Sequence, residues 1–153
     1  MIIKTANAHQ TQEAGEEFAH KIQSGGVVCL SGHLGAGKTT FTQGVARGLG
    51  INQNIISPTF ILMRRYQLPV TSHQQLATKY LCHIDLYRLD SIDEVKGLGI
   101  EEILADSDNI VLIEWPEKIA PLLPRRRWEV QLETLSENSR KITFSDTQFN
   151  NKH

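Results

Sequence analysis

The eight residues Gly32-His33-Leu34-Gly35-Ala36-Gly37-Lys38-Thr39 constrain this chain more than any other segment. They follow the spacing G-x-x-x-x-G-K-[ST], a loop whose successive backbone N–H groups close around phosphate oxygens. Gly32, Gly35 and Gly37 open backbone conformations that other residues resist, so amides through Leu34 and Ala36 can point into one concavity. The spacing is informative only between a buried strand and a helix. Val27 to Ser31 is short and wholly apolar or small, the pattern of a strand buried on both faces. Lys38 to Leu49, ended by Gly50, reads as a helix whose positive end adds to the anion site. Lys38 is placed to reach the β- and γ-phosphates, the Thr39 hydroxyl to ligate magnesium, and Thr40 to touch the α-phosphate region.

A phosphate loop needs an acidic partner that holds magnesium, normally at the end of another buried strand. Two positions qualify: Asp85, after Tyr80-Leu81-Cys82-His83-Ile84, and Glu114, after Ile110-Val111-Leu112-Ile113. Strand C-terminal ends are where open α/β sheets bind ligands. Spacing alone does not say which acid contacts the metal and which orients the attacking water. His83 shares a face with Asp85 only if its strand is regular, and a lone histidine is not read as a metal ligand. Guanine-specific proteins with this loop resemble one another in an Asn-Lys-x-Asp run, which is missing here; adenine is the expected base.

The rest of the chain sets these parts in an α/β frame. Residues 11–23 carry Ala14, Phe18, Ala19 and Ile22 at helical spacing, and Ser24-Gly25-Gly26 stops that helix. Thr59 to Tyr66 alternates weakly and Tyr80 to Leu86 is strand-like; the polar stretch between them predicts a surface loop over 66–80. Ser91-Ile92-Asp93-Glu94 fits a capping box, starting a helix that Gly97 and Gly99 interrupt. Pro116, Pro121 and Pro124 break regular structure before an antiparallel hairpin, with Trp128, Val130 and Leu132 on one strand and Ile142 and Phe144 on the other. Alternating strands and helices predict a three-layer α/β sandwich, its sheet mainly parallel with antiparallel strands at the C-terminal end. One domain is expected over 1–153, with a flexible tail from 146 to 153.

Composition excludes several other classes. A chain of 153 residues with 40% hydrophobic and 22% charged residues is an ordinary globular protein. A net charge of −1 argues against a surface coated for nucleic acid. Cys29 and Cys82 are too few and too far apart for a zinc knuckle or redox pair, and each reads as a buried strand thiol. The N-terminus lacks a signal-peptide pattern and no eighteen apolar residues run together, so a cytoplasmic protein without a membrane span is expected.

Taken in order, the phosphate loop, Ser57-Pro58-Thr59-Phe60, His83-Ile84-Asp85-Leu86-Tyr87-Arg88-Leu89 and Ile113-Glu114-Trp115-Pro116-Glu117 resemble the TsaE family. These are bacterial ATPases of tRNA threonylcarbamoyladenosine biosynthesis, and the resemblance spans about residues 10–120. It implies a P-loop ATPase that binds ATP and Mg2+ and works with TsaD and TsaB. Those partners, in turn, bear the transfer to adenosine-37 of tRNAs reading ANN codons. It implies catalytic roles for Lys38, Asp85 and Glu114, with Thr39, Glu114 and Asp85 on magnesium. It places Trp115 beside the nucleotide and Thr11 near the base. The 66–80 connection is longer than the family's usual one.

Three features stay open at this level. Pro58 stiffens a corner between Ser57 and Thr59, which reads either as a γ-phosphate sensor or as a turn with local hydroxyl bonds. Arg125-Arg126-Arg127 reads as a solvated face rather than a contact to tRNA phosphate, and Arg88 as a structural anchor. Two other functions share the same core. A small-molecule or nucleoside kinase would need an arginine-bearing lid, for which 125–127 is the candidate. A nucleotide-dependent interaction module would need ATP binding alone.

Overall fold

The computed structural model describes residues 1–58, 62–70 and 78–148, and places the strand that precedes the phosphate loop at the centre of its sheet. Seven strands build that sheet: β1 (Ile2–Thr5), β2 (Gly26–Ser31), β3 (Met63–Gln67), β4 (Tyr80–Asp85), β5 (Asn109–Glu114), β6 (Trp128–Thr134) and β7 (Arg140–Asp146). Their spatial order is β1-β7-β6-β2-β5-β4-β3. Among the described residues three helices accompany them: α1 (Ala8–Ala19), α2 (Lys38–Gly48) and α3 (Ile100–Ala105). Short 3-10 helices cover Ile92–Val95 and Pro116–Leu122.

The central four strands, β6-β2-β5-β4, are parallel. Both flanks are antiparallel, with β3 on β4 at one edge and β7 then β1 beyond β6 at the other. The mainly parallel sheet expected from sequence therefore holds for its centre only, and antiparallel strands close both edges. β1 has no counterpart in the sequence reading. It is four residues long, two or more of them solvent-facing, and its partner lies at the far end of the chain, Ile3 opposite Ile142.

Period-2 alternation divides the core in two. One face of the sheet carries Val28, Leu30, Leu81, Ile110 and Leu112, packed under α1 and α2 with Phe18, Phe41 and Val45. The other carries Val27, Cys29, Cys82, Ile84, Val111 and Ile113, packed on Leu89, Val95, Ile100 and Ile119. Both thiols are buried as expected, and burial pushes Cys29 up to about 12 and Cys82 up to about 11.

Helix α1 starts earlier than its apolar spacing suggests, because Asn7 accepts from the Gln10 amide as N-cap. It meets α2 through a glycine seam. A Cβ on Gly44 would lie 1.9 Å from the Gln12 carbonyl oxygen, and one on Gly15 would lie 2.3 Å from that of Phe41. Both are steric limits, and they bring the N-terminal part of α1 close to the phosphate loop. The capping box reads out differently: Ser91 accepts from the amide of Asp93 and starts only one 3-10 turn. The run after Trp115 is also helical, since Pro116 occupies a first-turn position that needs no N–H.

Residues 66–80 begin and end in structure, with Leu68 N donating to Lys79 O at 2.8 Å; 71–77 lie outside the described residues. At the other terminus, the Thr147 hydroxyl donates to Arg125 O at 2.6 Å, and 149–153 lie outside.

Candidate functional site

The loop leaves β2 at Ser31 and enters α2 at Lys38. Gly32 passes so near β6 that a Cβ would sit 2.7 Å from the Leu132 carbonyl oxygen. Gly37 takes φ +98° as N-cap of α2 and brings no side chain to cap it. The helical ladder begins with Phe41 N on Gly37 O at 2.9 Å, leaving the first-turn amides of Lys38, Thr39 and Thr40 outside it. Uncapped first-turn amides on an eleven-residue helix form an anion site.

A cavity of about 360 Å³ lies in front of those amides. Leu34, Gly35, Gly37, Lys38, Thr39 and Thr40 line it from the loop and helix, together with Arg140, Ser57, Asp85, Tyr87 and Glu114. Sheet register explains the convergence. Leu30, Glu114 and Asp85 are lateral neighbours on β2, β5 and β4, so both acids end their strands in the row from which the loop departs. Ala36 is buried beneath the loop.

Each acid is fixed differently. Asp85 accepts from the Ser57 hydroxyl at 2.9 Å and from the Tyr87 amide at 3.0 Å. Glu114 is buried and its Oε2 lies 2.7 Å from Nε2 of His83, which is 0% exposed. β4 is regular, so His83 and Asp85 do share a face. The sequence reading set His83 aside; its two-residue spacing from Asp85, on a strand beside the one that ends at Glu114, was the available signal. Thr59 lies outside the described residues, while Ser57 of the same segment is bonded into the site.

The Lys38 ammonium donates to Gly32 O at 2.7 Å and stands 4.1 Å from the centroid of the Trp115 ring. Burial lowers its pKa from the usual 10.5, against the opposing pull of Glu114, Asp85 and Glu117. Trp115 does not line the loop cavity. It lines a neighbouring one of about 300 Å³ with Gly32, His33 and Lys38, and packs on Tyr87 with ring centroids 5.4 Å apart. Thr11 is 1% exposed and shares a hydrogen bond of 2.7 Å with the hydroxyl of Thr5. It borders a small cavity with Gly37, Thr40 and Arg140, so α1 does bring it beside the loop.

Arg140 was not legible in the sequence. Its Nη2 donates to Gly35 O at 3.0 Å across 105 residues, and its Nη1 donates to the carbonyls of Ser136 and Ser139. The guanidinium thus ties the β6–β7 turn to the phosphate loop. Arg126 and Arg127 lie elsewhere, around a cavity beside Gly25 and Gly26 at the opposite end of β2. A lid built from 125–127 over the loop is incompatible with that placement.

Magnesium suits the oxygen donors at the cavity: two carboxylates and the Thr39 hydroxyl. Among the described residues no three His, Cys, Asp or Glu side chains cluster as a metal-holding group. No helix of the described residues is long and apolar enough to cross a membrane.

A glycine-rich loop between a central parallel strand and a helix, with acids at the adjacent strand ends, defines an α/β protein whose candidate site lies at the C-terminal edge of its sheet. Comparison with known proteins narrows this class. The family model described as "Threonylcarbamoyl adenosine biosynthesis protein TsaE" matches residues 5–142, and the chain belongs to the TsaE family. Relatives named tRNA threonylcarbamoyladenosine biosynthesis protein TsaE include one from Rickettsia felis, 43% identical, with 88% of this chain and 73% of the relative covered. Another from Bacillus subtilis is 35% identical over 93% of this chain and 83% of its own length. The crystal structure of YdiB from the same organism superposes with a TM-score of 0.76 at 31% identity, covering 96% of this chain and 85% of that one.

Proposed function

We propose that this protein is a P-loop ATPase of low intrinsic turnover that supports a TsaD–TsaB complex in forming threonylcarbamoyladenosine at position 37 of tRNAs reading ANN codons. The observation that carries the nucleotide chemistry is the single cavity shared by the uncapped turn of α2, Thr39, Asp85 and Glu114. The loop amides and Lys38 hold the phosphate chain, and Thr39, Glu114 and Asp85 are the residues that would hold magnesium. When bound, that ion offsets negative charge on the phosphates. Asp85, fixed by Ser57 and the Tyr87 amide, is suited to orient an attacking water as well. Adenine is the favoured base because the chain lacks an Asn-Lys-x-Asp run.

Low turnover follows from the cations available. Apart from Lys38, the arginine at the cavity is Arg140, whose guanidinium is bound to three or more main-chain carbonyls. Among the described residues that line the cavity, no mobile cation is committed to transition-state charge on the transferring phosphoryl group. Family membership supports the reading of the partners and the tRNA, and a cytoplasmic location accords with it.

A pull-down with purified TsaD and TsaB, with and without ATP, tests the assignment. ATP-dependent association is the expected result. No association under either condition would remove the partner assignment and leave the nucleotide site standing.

A further inference from the structure

The phosphate chemistry leaves a buried imidazole unused. His83 is 0% exposed, its Nε2 lies 2.7 Å from Glu114 Oε2, and its Nδ1 is buried without a partner among the described residues. An ionised carboxylate only accepts, so Nε2 carries the hydrogen of that bond, while Nδ1 is a buried polar atom left unpaired. Burying such a group costs free energy, whereas an apolar side chain of similar volume would sit in the sheet without that cost. Its neighbours on this face of β4 and β5 are Leu81, Leu112 and Ile110, consistent with an apolar position.

We propose that His83 is a positioning residue for Glu114, fixing its carboxylate so that Oε1 is presented to a divalent cation in the cavity. This rests on the reading of Glu114 as a magnesium-holding residue. The terminal torsion of a glutamate is broad and roughly two-fold, so an unrestrained carboxylate samples orientations that a hard cation does not use. A charge-assisted bond from a ring held on a central strand selects one of them. Rigid placement also follows from register: Glu114 is lateral to Asp85, two residues beyond His83 on the same face of β4. One imidazole therefore sets one acid relative to the other.

The test uses Mn2+ as the probe, followed by electron paramagnetic resonance with a non-hydrolysable ATP analogue bound. His83→Phe keeps ring volume and removes the donor; His83→Gln restores an N–H at about the reach of Nε2. Partner residues behind metal ligands typically contribute about 10–100-fold in affinity, so His83→Phe is expected to weaken Mn2+ binding at least tenfold and His83→Gln to recover most of it. Metal-free affinity for the analogue, measured in EDTA, stays near the wild-type value in both. Wild-type Mn2+ affinity in a folded His83→Phe protein overturns the proposal.

A measurement on the wild type covers the case in which His83→Phe does not fold. With the analogue bound, adding Mg2+ should shift the 15N resonances of the His83 ring; unchanged resonances overturn the proposal. Glu114→Gln separates the two readings. If it binds Mn2+ like the wild type, the assignment of Glu114 has failed and the role of His83 with it. If Glu114→Gln weakens binding and His83→Phe does not, only the positioning role is lost.

Discussion

The ammonium of Lys38 stands 4.1 Å from the centroid of the Trp115 ring while it donates to the carbonyl of Gly32. Trp115 holds this place at φ +60°, a conformation in which a bulky residue is strained. The strand end at Glu114 and the helical turn at Pro116 fix the backbone on either side. A contact between an ammonium and a desolvated indole is worth about 0.5–2 kcal/mol. Trp115→Leu should therefore weaken Mg-ATP binding by roughly 2–30-fold, as read by isothermal titration. An unchanged affinity would mean that the ring plays no part in holding Lys38.

The seam between α1 and α2 leaves no room for a methyl group. Gly44→Ala should destabilise the fold by about 1–3 kcal/mol or more, since the clash is with the Gln12 main chain rather than a movable side chain. Urea denaturation gives the value. A change under 0.5 kcal/mol would show that the two helices separate easily.

Both thiols lie in the core, so Ellman's reagent at pH 8 should leave the native protein unlabelled and titrate two groups after unfolding. Their folded-state values, about 12 for Cys29 and about 11 for Cys82, exceed the ordinary 9.0 because burial disfavours the thiolate. Between these limits the unfolded chain binds fewer protons than the folded one. The contribution is thus fully present below about pH 9 and lost as pH rises through 11 and 12. Replacing both with Ala should flatten that part of the stability profile.

Ser57 donates to Asp85 from a segment stiffened by Pro58. Hydrogen bonds to charged groups contribute about 1.5–3 kcal/mol, so Ser57→Ala should lower Mg-dependent ATP hydrolysis by roughly tenfold or more. ATP affinity in EDTA should barely change. Equal loss in both measurements would instead make Ser57 a structural support of the loop.

What could be read in advance follows from the range of the physics involved. β2, β5 and the start of α2 are local patterns: apolar runs four or five residues long and a glycine-rich spacing beside them. With the strand-like run of β4, they marked Lys38, Thr39, Asp85 and Glu114 as candidates before any pairing was known. β1 was invisible because its stability comes from β7, more than a hundred residues away. Arg140 was hidden for the same reason, its bond to Gly35 being a product of sheet order. His83 was an intermediate case. Its face was readable from alternation, but only parallel register brings Glu114 to its Nε2. The steric demand at Gly44 likewise appears only once α1 crosses α2.

The most direct test of the account is calorimetric titration of ATP into the wild-type protein and Lys38→Ala, with Mg2+ and with EDTA. Saturable binding that strengthens with Mg2+, is lost in Lys38→Ala and is much weaker for GTP is the predicted result. Binding that is indifferent to Mg2+ and survives Lys38→Ala would contradict the phosphate-loop site from which the rest is built.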